Sequence, residues 1–339
     1  MSHHCHEVVF RFTDSASSPV AVAGGETVLE AALRAGVPLL HQCRSGSCTS
    51  CAAKLVEGSA TMRAGSALLD SEYREGQRLL CLTEPLSACV FELQYPTENG
   101  LSEAVEAHAF VDSIERIAPD VVRLSLELAE GQWLDFRPGQ YVQVAVPGAG
   151  VVRSYSPAST PADLPAIEFL IRLQPGGAMS TYLETRARVD EVLKLTGPHG
   201  AFFLRAKQHV PHIFVAGGTG LAPILSMLDS IRLSGGCRPP ILLAFGAAAP
   251  DRLFCLDAIE LRRQWLPTLE TRLCVDRDAR DGLLPGSPVD ALQAGDVIEA
   301  GTVAYVCGPP AMIEAARRRL QQIGVAPERI FTEQFSAST

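Results

Sequence analysis

His41-Gln42-Cys43-Arg44-Ser45-Gly46-Ser47-Cys48-Thr49-Ser50-Cys51 places three cysteines in C-x4-C-x2-C spacing, and Cys81 follows after twenty-nine intervening residues. Four thiolates in that arrangement suit a [2Fe–2S] cluster, because ferric ions with inorganic sulfide favour soft anionic sulfur over imidazole or carboxylate. Gly46 and the small Ser45, Ser47, Thr49 and Ser50 keep bulk away from the sulfides. Backbone N–H groups of such a loop can then point at the cluster's negative charge. The alternatives are a zinc site or scattered buried cysteines. Zinc sites usually pair two short C-x2-C hooks, whereas here the fourth cysteine stands alone. Cys43, Cys48, Cys51 and Cys81 are therefore read as metal ligands.

CRSGSCTSCAAKLVEGSA followed by EGQRLLCL resembles the cluster loop and fourth-ligand segment of plant-type ferredoxins, and the resemblance covers most of residues 7–95. The surrounding pattern fits a small β-grasp domain. Residues 7–12 alternate Val8, Phe10 and Phe12 on one face, as a strand does. Thr27-Val28-Leu29-Glu30 has the form of a capping box opening a short helix that stops at Gly36. Further strands are expected at 54–58 and 90–95. Cys89 lies outside the ligand pattern and reads as a buried structural cysteine.

At 339 residues the chain is long enough for two or three domains. A composition of 47% hydrophobic and 20% charged residues is ordinary for a globular protein. The net charge of −9 argues against nucleic acid as a partner, since tracking phosphates needs a basic surface. Ten cysteines in so long a chain, with this ligand spacing, do not suggest a secreted disulfide scaffold. No signal-like opening and no run of eighteen apolar residues occurs, so no membrane association and a cytoplasmic location are expected. Met1-Ser2-His3-His4-Cys5-His6 could bind a metal adventitiously, but a frayed terminus accounts for it better.

Residues 96–103 have linker composition, with a proline and an Asn-Gly turn signal, and suggest a mobile ferredoxin. Beyond them, short strand-like runs at 107–114, 121–128, 141–146, 166–172 and 191–195 point to a small antiparallel β-barrel. From about residue 210 strands and helices alternate. Strands are expected at 212–216, 241–245, 269–275 and 303–307, with helices at 221–233 and 312–323, the latter opened by Pro310 and closed by Gly324. That alternation predicts an α/β domain with a parallel sheet covered on both faces. The expected division is a [2Fe–2S] ferredoxin domain over 1–97, a linker over 98–104, a flavin barrel over 105–206 and a nucleotide-binding domain over 207–339.

Arg153-Ser154-Tyr155-Ser156-Pro157 alone could be a polar turn. Gly176-Gly177-Ala178-Met179-Ser180-Thr181 is a glycine turn opening a helix, which offers N–H groups and a positive dipole end to phosphate. Gly197-Pro198-His199-Gly200-Ala201-Phe202 follows. In this order the segments resemble the flavin domain of the ferredoxin–NADP reductase superfamily. The resemblance implies that Arg153 pairs with the FAD pyrophosphate, Tyr155 lies on the isoalloxazine, Ser156 sits near its N5 and Ser180 meets the pyrophosphate. It also implies cofactor contacts at Ser154, Gly177 and Met179. A planar guanidinium for diphosphate, an aromatic face for a flat ring and a small hydroxyl suit those roles.

Gly217-Gly218-Thr219-Gly220-Leu221-Ala222-Pro223 stands at a strand-to-helix junction. It is not G-x-G-x-x-G, yet its glycines allow the same close approach to a pyrophosphate. It resembles the pyridine-nucleotide segment of that superfamily, as does Cys307-Gly308-Pro309-Pro310, and two ordinary glycine turns are the alternative. The resemblance implies cofactor contacts at Gly217, Gly218, Thr219, Gly220, Gly308 and Pro309, with Cys307 beside the nicotinamide. Glu333-Gln334-Phe335 resembles the superfamily's tail near the flavin, although a fraying terminus would look similar. Ser156, Cys307 and Glu333 are thus the implied catalytic residues, with Phe335 near the flavin. His41 and His199 read as structural, and no base accompanies Cys307 to make a thiol hydrolase.

Small residues at 246–249 and the acids Asp251, Asp276 and Asp278 after two nucleotide-domain strands favour NADH over NADPH. The module order ferredoxin, flavin barrel, nucleotide domain resembles the single-chain reductase components of bacterial oxygenases. The resemblance implies an oxidoreductase that takes two electrons from NADH onto FAD, passes them singly to the cluster and delivers them to a terminal oxygenase component. The expected partner is an aromatic ring-hydroxylating dioxygenase. A di-iron monooxygenase acting on phenols, toluenes or alkenes is the alternative, and a cofactor-free interaction module the remote one.

Overall fold

The strand Cys5–Arg11 buries Val8 and Phe10, while Cys5, Glu7 and Arg11 face outward, as the sequence alternation requires. In the computed structural model, which describes residues 5–101, 103–205, 210–235, 238–280 and 282–335, this strand pairs antiparallel with Ser17–Ala23 and parallel with Cys89–Glu92. Ala52–Glu57 and Gln77–Leu79 complete a five-stranded sheet. The helix Val28–Arg34 buries Val28, Leu29, Ala31 and Ala32. Its capping box is formed: the Glu30 backbone N–H donates to Thr27 Oγ1, and the Thr27 N–H donates to the Glu30 carboxylate. Gly36, at φ +72°, ends it. Of the His/Cys-rich start, residues 1–4 lie outside the described residues.

The expected linker is shorter than its composition suggests. Thr97–Gly100 forms a helical turn. Asp14 anchors it, accepting from the Thr97 N–H at 2.9 Å and the Thr97 hydroxyl at 2.6 Å. Asn99 is buried, and a Cβ added at Gly100 would lie 1.8 Å from the Pro38 carbonyl oxygen. The polar composition there serves local capping and close packing. Contacts divide the chain into two units, Met1–Ala104 with His199–Ala201, and Val105–Pro198 with Phe202–Thr339.

In the second unit, six strands run in the order Val151–Tyr155, Tyr141–Val146, Val192–His199, Val105–Ala118, Val121–Leu128, Ala166–Arg172. Antiparallel pairings link Val151–Tyr155 to Tyr141–Val146 and join the last four strands in series, with Tyr141–Val146 beside Val192–His199, and a bridge between Pro157 and Phe169 joins the two edges into a barrel. Register shifts at Val111/Ser113 and Arg116/Ala118 bend the long strand, as bulges do. Arg153-Ser154-Tyr155, for which a polar turn is the alternative to a flavin motif, lies in an edge strand.

The other half of this unit is a six-stranded parallel sheet. Its order is Leu284–Pro285, Leu269–Val275, Ile241–Ala247, His212–Gly217, Val303–Gly308, Ile330–Gln334. Its central strands are buried along nearly their whole length, as strands in a doubly covered sheet are. Helices Leu221–Leu233, Leu256–Trp265 and Pro310–Gln322 follow the strands His212–Gly217, Ile241–Ala247 and Val303–Gly308. Ala118, Val121, Ala158, Leu170 and Phe202 of the barrel pack in one core with Phe214, Leu243 and Tyr305 of the sheet. Barrel and sheet therefore share apolar burial. The expected boundary at 206/207 falls outside the described residues.

Candidate cofactor sites

The cysteine loop is built for sulfur ligation. Gly46 adopts φ +86°, and a Cβ there would lie 2.4 Å from Leu82 Cδ1 and 3.0 Å from the Gly65 oxygen. Arg44 and Thr49 are held at φ +54°, a conformation that side chains resist. The Ser45 N–H donates to Cys43 Sγ and the Cys43 N–H to Cys48 Sγ, each at 3.4 Å. Burial raises the Cys43 thiol's pKa, but hydrogen bonds from Ser47, Ser45 and Cys48 outweigh it and bring the value down to about 6. Cys51 and Cys81 form a second pair. The Cys51 thiol donates to the Cys81 sulfur, which raises the pKa of the donor and lowers that of the acceptor. Two thiol pairs, Cys43/Cys48 and Cys51/Cys81, supply the soft donors that two irons with two thiolates each would need. The residues fit the cluster. His41 is structural as expected, its Nδ1 hydrogen-bonded to the Leu39 oxygen at 2.8 Å.

The flavin-side residues divide by what their side chains touch. Gly177 caps the helix Ala178–Thr185 without a side-chain cap, so its first N–H groups stay open to an anion. Ser180 Oγ accepts from the Gln174 N–H at 2.7 Å, bracing the glycine turn while its own proton remains available. Met179 is buried within the barrel core, so it can meet a cofactor only through its backbone. Ser154 is exposed, and Arg153 hydrogen-bonds the Val152 oxygen at 2.9 Å. Tyr155 lies edge-on to Phe169, and burial raises its hydroxyl pKa.

The two glycine motifs of the parallel sheet interlock. A Cβ at Gly220 would lie 2.2 Å from the Cys307 oxygen, and one at Gly217 would lie 2.7 Å from Met312 Sδ. Gly218, at φ +54°, has open space where its Cβ would be, and Gly218-Thr219-Gly220 form a 3-10 turn leading into Leu221–Leu233. Pro309 precedes the helix Pro310–Gln322. Backbone that only glycine permits, beside a helix start, is the cradle a dinucleotide pyrophosphate requires. Met312, which also lies under Gly308, escaped the sequence reading; its place two residues after Pro310 was the available signal.

Ser156, Cys307 and Glu333 converge although they are distant in sequence. Cys307 and Glu333 are register partners on adjacent parallel strands. The buried Ser156 donates its hydroxyl proton to Glu333 Oε2 at 3.3 Å. Packing around the half-buried Glu333 carboxyl raises its pKa to about 8, against the opposing effect of that hydrogen bond. Burial, helped by the Glu333 charge, raises the Cys307 thiol's pKa well above its usual value. The Phe335 N–H donates to the Gly308 oxygen at 2.9 Å, so the tail segment through Phe335 is held to the sheet. At neutral pH these three groups are an uncharged hydroxyl, thiol and carboxylic acid, an arrangement that suits a flavin–nicotinamide contact.

Three family models match: a 2Fe-2S iron-sulfur cluster binding domain over residues 13–86, an oxidoreductase FAD-binding domain over 108–204 and an oxidoreductase NAD-binding domain over 214–318. The reductase component of propane 2-monooxygenase from Mycolicibacterium smegmatis is 33% identical, covering 98% of this chain and 97% of the relative. The chain belongs to the family of reductase components of multicomponent oxygenases. Another similar protein of this reductase family is the toluate 1,2-dioxygenase electron transfer component of Pseudomonas putida, 32% identical over 98% of this chain and 99% of its own. Among solved structures, the Amycolatopsis cytochrome P450 reductase GcoB matches with a TM-score of 0.70 and 27% identity, covering 97% of this chain and 99% of that one. This member of the family is thus an oxidoreductase with [2Fe–2S], FAD and NAD domains.

Proposed function

We propose that this chain draws electron pairs from NADH and delivers single electrons to the terminal component of an oxygenase. When bound, FAD accepts a hydride equivalent and releases its electrons one at a time, and the cluster carries them singly. The convergence of Ser156, Cys307 and Glu333 at the end of the nucleotide sheet carries the reading. Glu333 keeps its proton below about pH 8, and the Cys307 thiol keeps its own, so neither places negative charge where electrons must arrive. Gly217, Gly218 and Gly220 admit the dinucleotide backbone, with Thr219, Gly308 and Pro309 beside them. Arg153, Ser154, Tyr155, Gly177 and Ser180, with the Met179 main chain, would hold FAD, with Phe335 near the flavin. Cys43, Cys48, Cys51 and Cys81 hold the cluster.

An aromatic ring-hydroxylating dioxygenase is the first partner reading, supported by the toluate 1,2-dioxygenase relative. The propane 2-monooxygenase relative, at 33% identity, supports a monooxygenase as the second. Coupled turnover with one purified terminal component of each class decides between them. No damaged motif supports a cofactor-free module. The nine free cysteines among the described residues fit a reducing, cytoplasmic setting, and no described helix is long and apolar enough to cross a membrane.

The experiment that tests the reading is an anaerobic NADH titration of the holoprotein followed by visible absorption. Flavin and cluster bands should both bleach with uptake of about three electrons per chain, two on FAD and one on the cluster. Protein whose flavin does not bleach would sink the proposal. Cofactor choice gives a separate prediction. The Asp276 and Arg277 N–H groups bond the Ala247 and Ala248 oxygens at 3.2 Å, which ties the two turns after the Ile241–Ala247 and Leu269–Val275 strands together. Asp276 and Asp278 are both exposed there. A 2′-phosphate meeting one such carboxylate loses about 1 kcal/mol, so NADH should show roughly fivefold the specificity constant of NADPH. Steady-state rates with both cofactors check this, and a higher constant for NADPH would refute it.

A further inference from the structure

The strand Ile330–Gln334 presents Phe331 and Glu333 to the same face, since side chains two apart in a strand share a face. The barrel half of the unit meets that face at both positions. Ser156 donates to Glu333 at 3.3 Å. Two residues along, the Arg205 guanidinium carbon stands 4.6 Å from the Phe331 ring centroid. The same guanidinium carbon stands 3.8 Å from the Phe203 ring centroid. Phe331 in turn stacks on Tyr305 at 5.4 Å, and Tyr305 on Phe214 at 5.4 Å, a ladder across three adjacent strands. The Arg205 backbone N–H also donates to the Tyr305 hydroxyl at 2.9 Å.

We infer that Arg205 is a positioning residue: in contact with the rings of both Phe203 and Phe331, it pins the last strand to the barrel and so sets where the Glu333 carboxyl stands relative to Ser156. The inference rests on the reading of Ser156 and Glu333 as part of the redox site. Its physical basis is the planar cation. A guanidinium can lie against two aromatic faces at once, whereas an ammonium is a compact, strongly hydrated charge that cannot. Strand pairing fixes the main chain through bonds to Val303–Gly308, but it leaves the separation between this sheet and the barrel to side-chain contacts. Arg205 supplies one such contact two residues from Glu333.

The test uses the full-length holoprotein with Arg205→Ala and Arg205→Lys. The Tyr305 hydrogen bond uses the Arg205 backbone, so it survives both substitutions. Arg205→Ala should slow NADH-driven flavin reduction on the order of tenfold, as expected when reacting groups shift by a fraction of an ångström. FAD content and NADH affinity should stay at wild-type values. Amide exchange should rise in residues 330–335 and stay unchanged in the strands of the first unit. Arg205→Lys should resemble Arg205→Ala, because the plane matters more than the charge. Wild-type reduction and exchange in Arg205→Ala would overturn the inference, and so would full rescue by lysine. Exchange rising across all strands with loss of FAD would also overturn it, since that marks a general stability role. If Arg205→Ala fails to fold, Phe331→Leu removes one of the two rings while keeping the sheet, and the same readouts apply. Wild-type protein that NADH cannot reduce would fail the redox reading itself, while the exchange comparison would still judge the pin.

Discussion

Cys81→Ser is expected to abolish electron delivery while leaving reduction of FAD by NADH intact. Cys81 is 6% exposed and its sulfur accepts from the Cys51 thiol, so it belongs to the inner ligand pair. Serine keeps the shape but offers a hard oxygen where the irons require soft sulfur. Changes around metal ligands commonly cost ten- to a hundredfold, so losing a ligand should cost on the order of a hundredfold or more in electrons delivered. The fold around the site does not depend on the thiol. The Leu80 N–H bonds the Cys51 oxygen at 3.1 Å and the Leu29 N–H bonds the Leu80 oxygen at 3.0 Å, both backbone contacts. Iron content, the visible cluster bands and coupled turnover with the terminal oxygenase should all collapse together. NADH should still bleach the flavin at the wild-type rate. A variant with full iron and full delivery would exclude Cys81 as a ligand. Loss of flavin reduction as well would show that Cys81 supports more than the cluster.

What the sequence made legible follows from how local each signal is. The four cysteines could be read because ligand spacing is set along the chain, and the capping box at Thr27 and Glu30 is a four-residue matter. The helix Leu221–Leu233 and the strand Leu269–Val275 match their expected bounds for the same reason. The contact between Ser156 and Glu333 spans 177 positions, so no spacing rule could find it; only the family resemblance pointed there. The linker reading went too far because polar residues that fold into a turn look like polar residues that do not. Asp14, which holds that turn, lies 83 residues away. Met179 shows the opposite limit, since a resemblance can assign a position to a cofactor while the side chain itself packs into the barrel. Arg205 and Phe331 give no signal along the chain, because their contact exists only once barrel and sheet have come together.

Glu333→Gln should remove the pH dependence that Glu333 builds into the redox site. Its folded pKa of about 8 lies above the ordinary 4.5, because packing disfavours the charge more than the Ser156 hydrogen bond favours it. Below about pH 8 the acid is neutral. Above it, a carboxylate next to the site opposes the arrival of electrons. Between pH 7 and pH 9 the protonated fraction falls from about nine-tenths to about one-tenth, so the rate of NADH-driven flavin reduction should fall roughly tenfold over that range. Glutamine keeps an uncharged, hydrogen-bonding side chain, and its profile should stay flat. Cys307 does not compete in this window, since its pKa lies well above the usual thiol value. Stability carries the same sign. A folded pKa above the unfolded one means that the folded chain binds this proton more tightly. The stabilisation is complete below about pH 4.5 and is lost as pH rises to about 8. Melting temperatures of wild type should therefore decline across that interval relative to Glu333→Gln. Stopped-flow reduction and thermal melts, each from pH 5 to 9, give two independent readings of one proton. Parallel profiles for the two proteins in both experiments would show that Glu333 is already ionised at neutral pH and would remove it from the acid role.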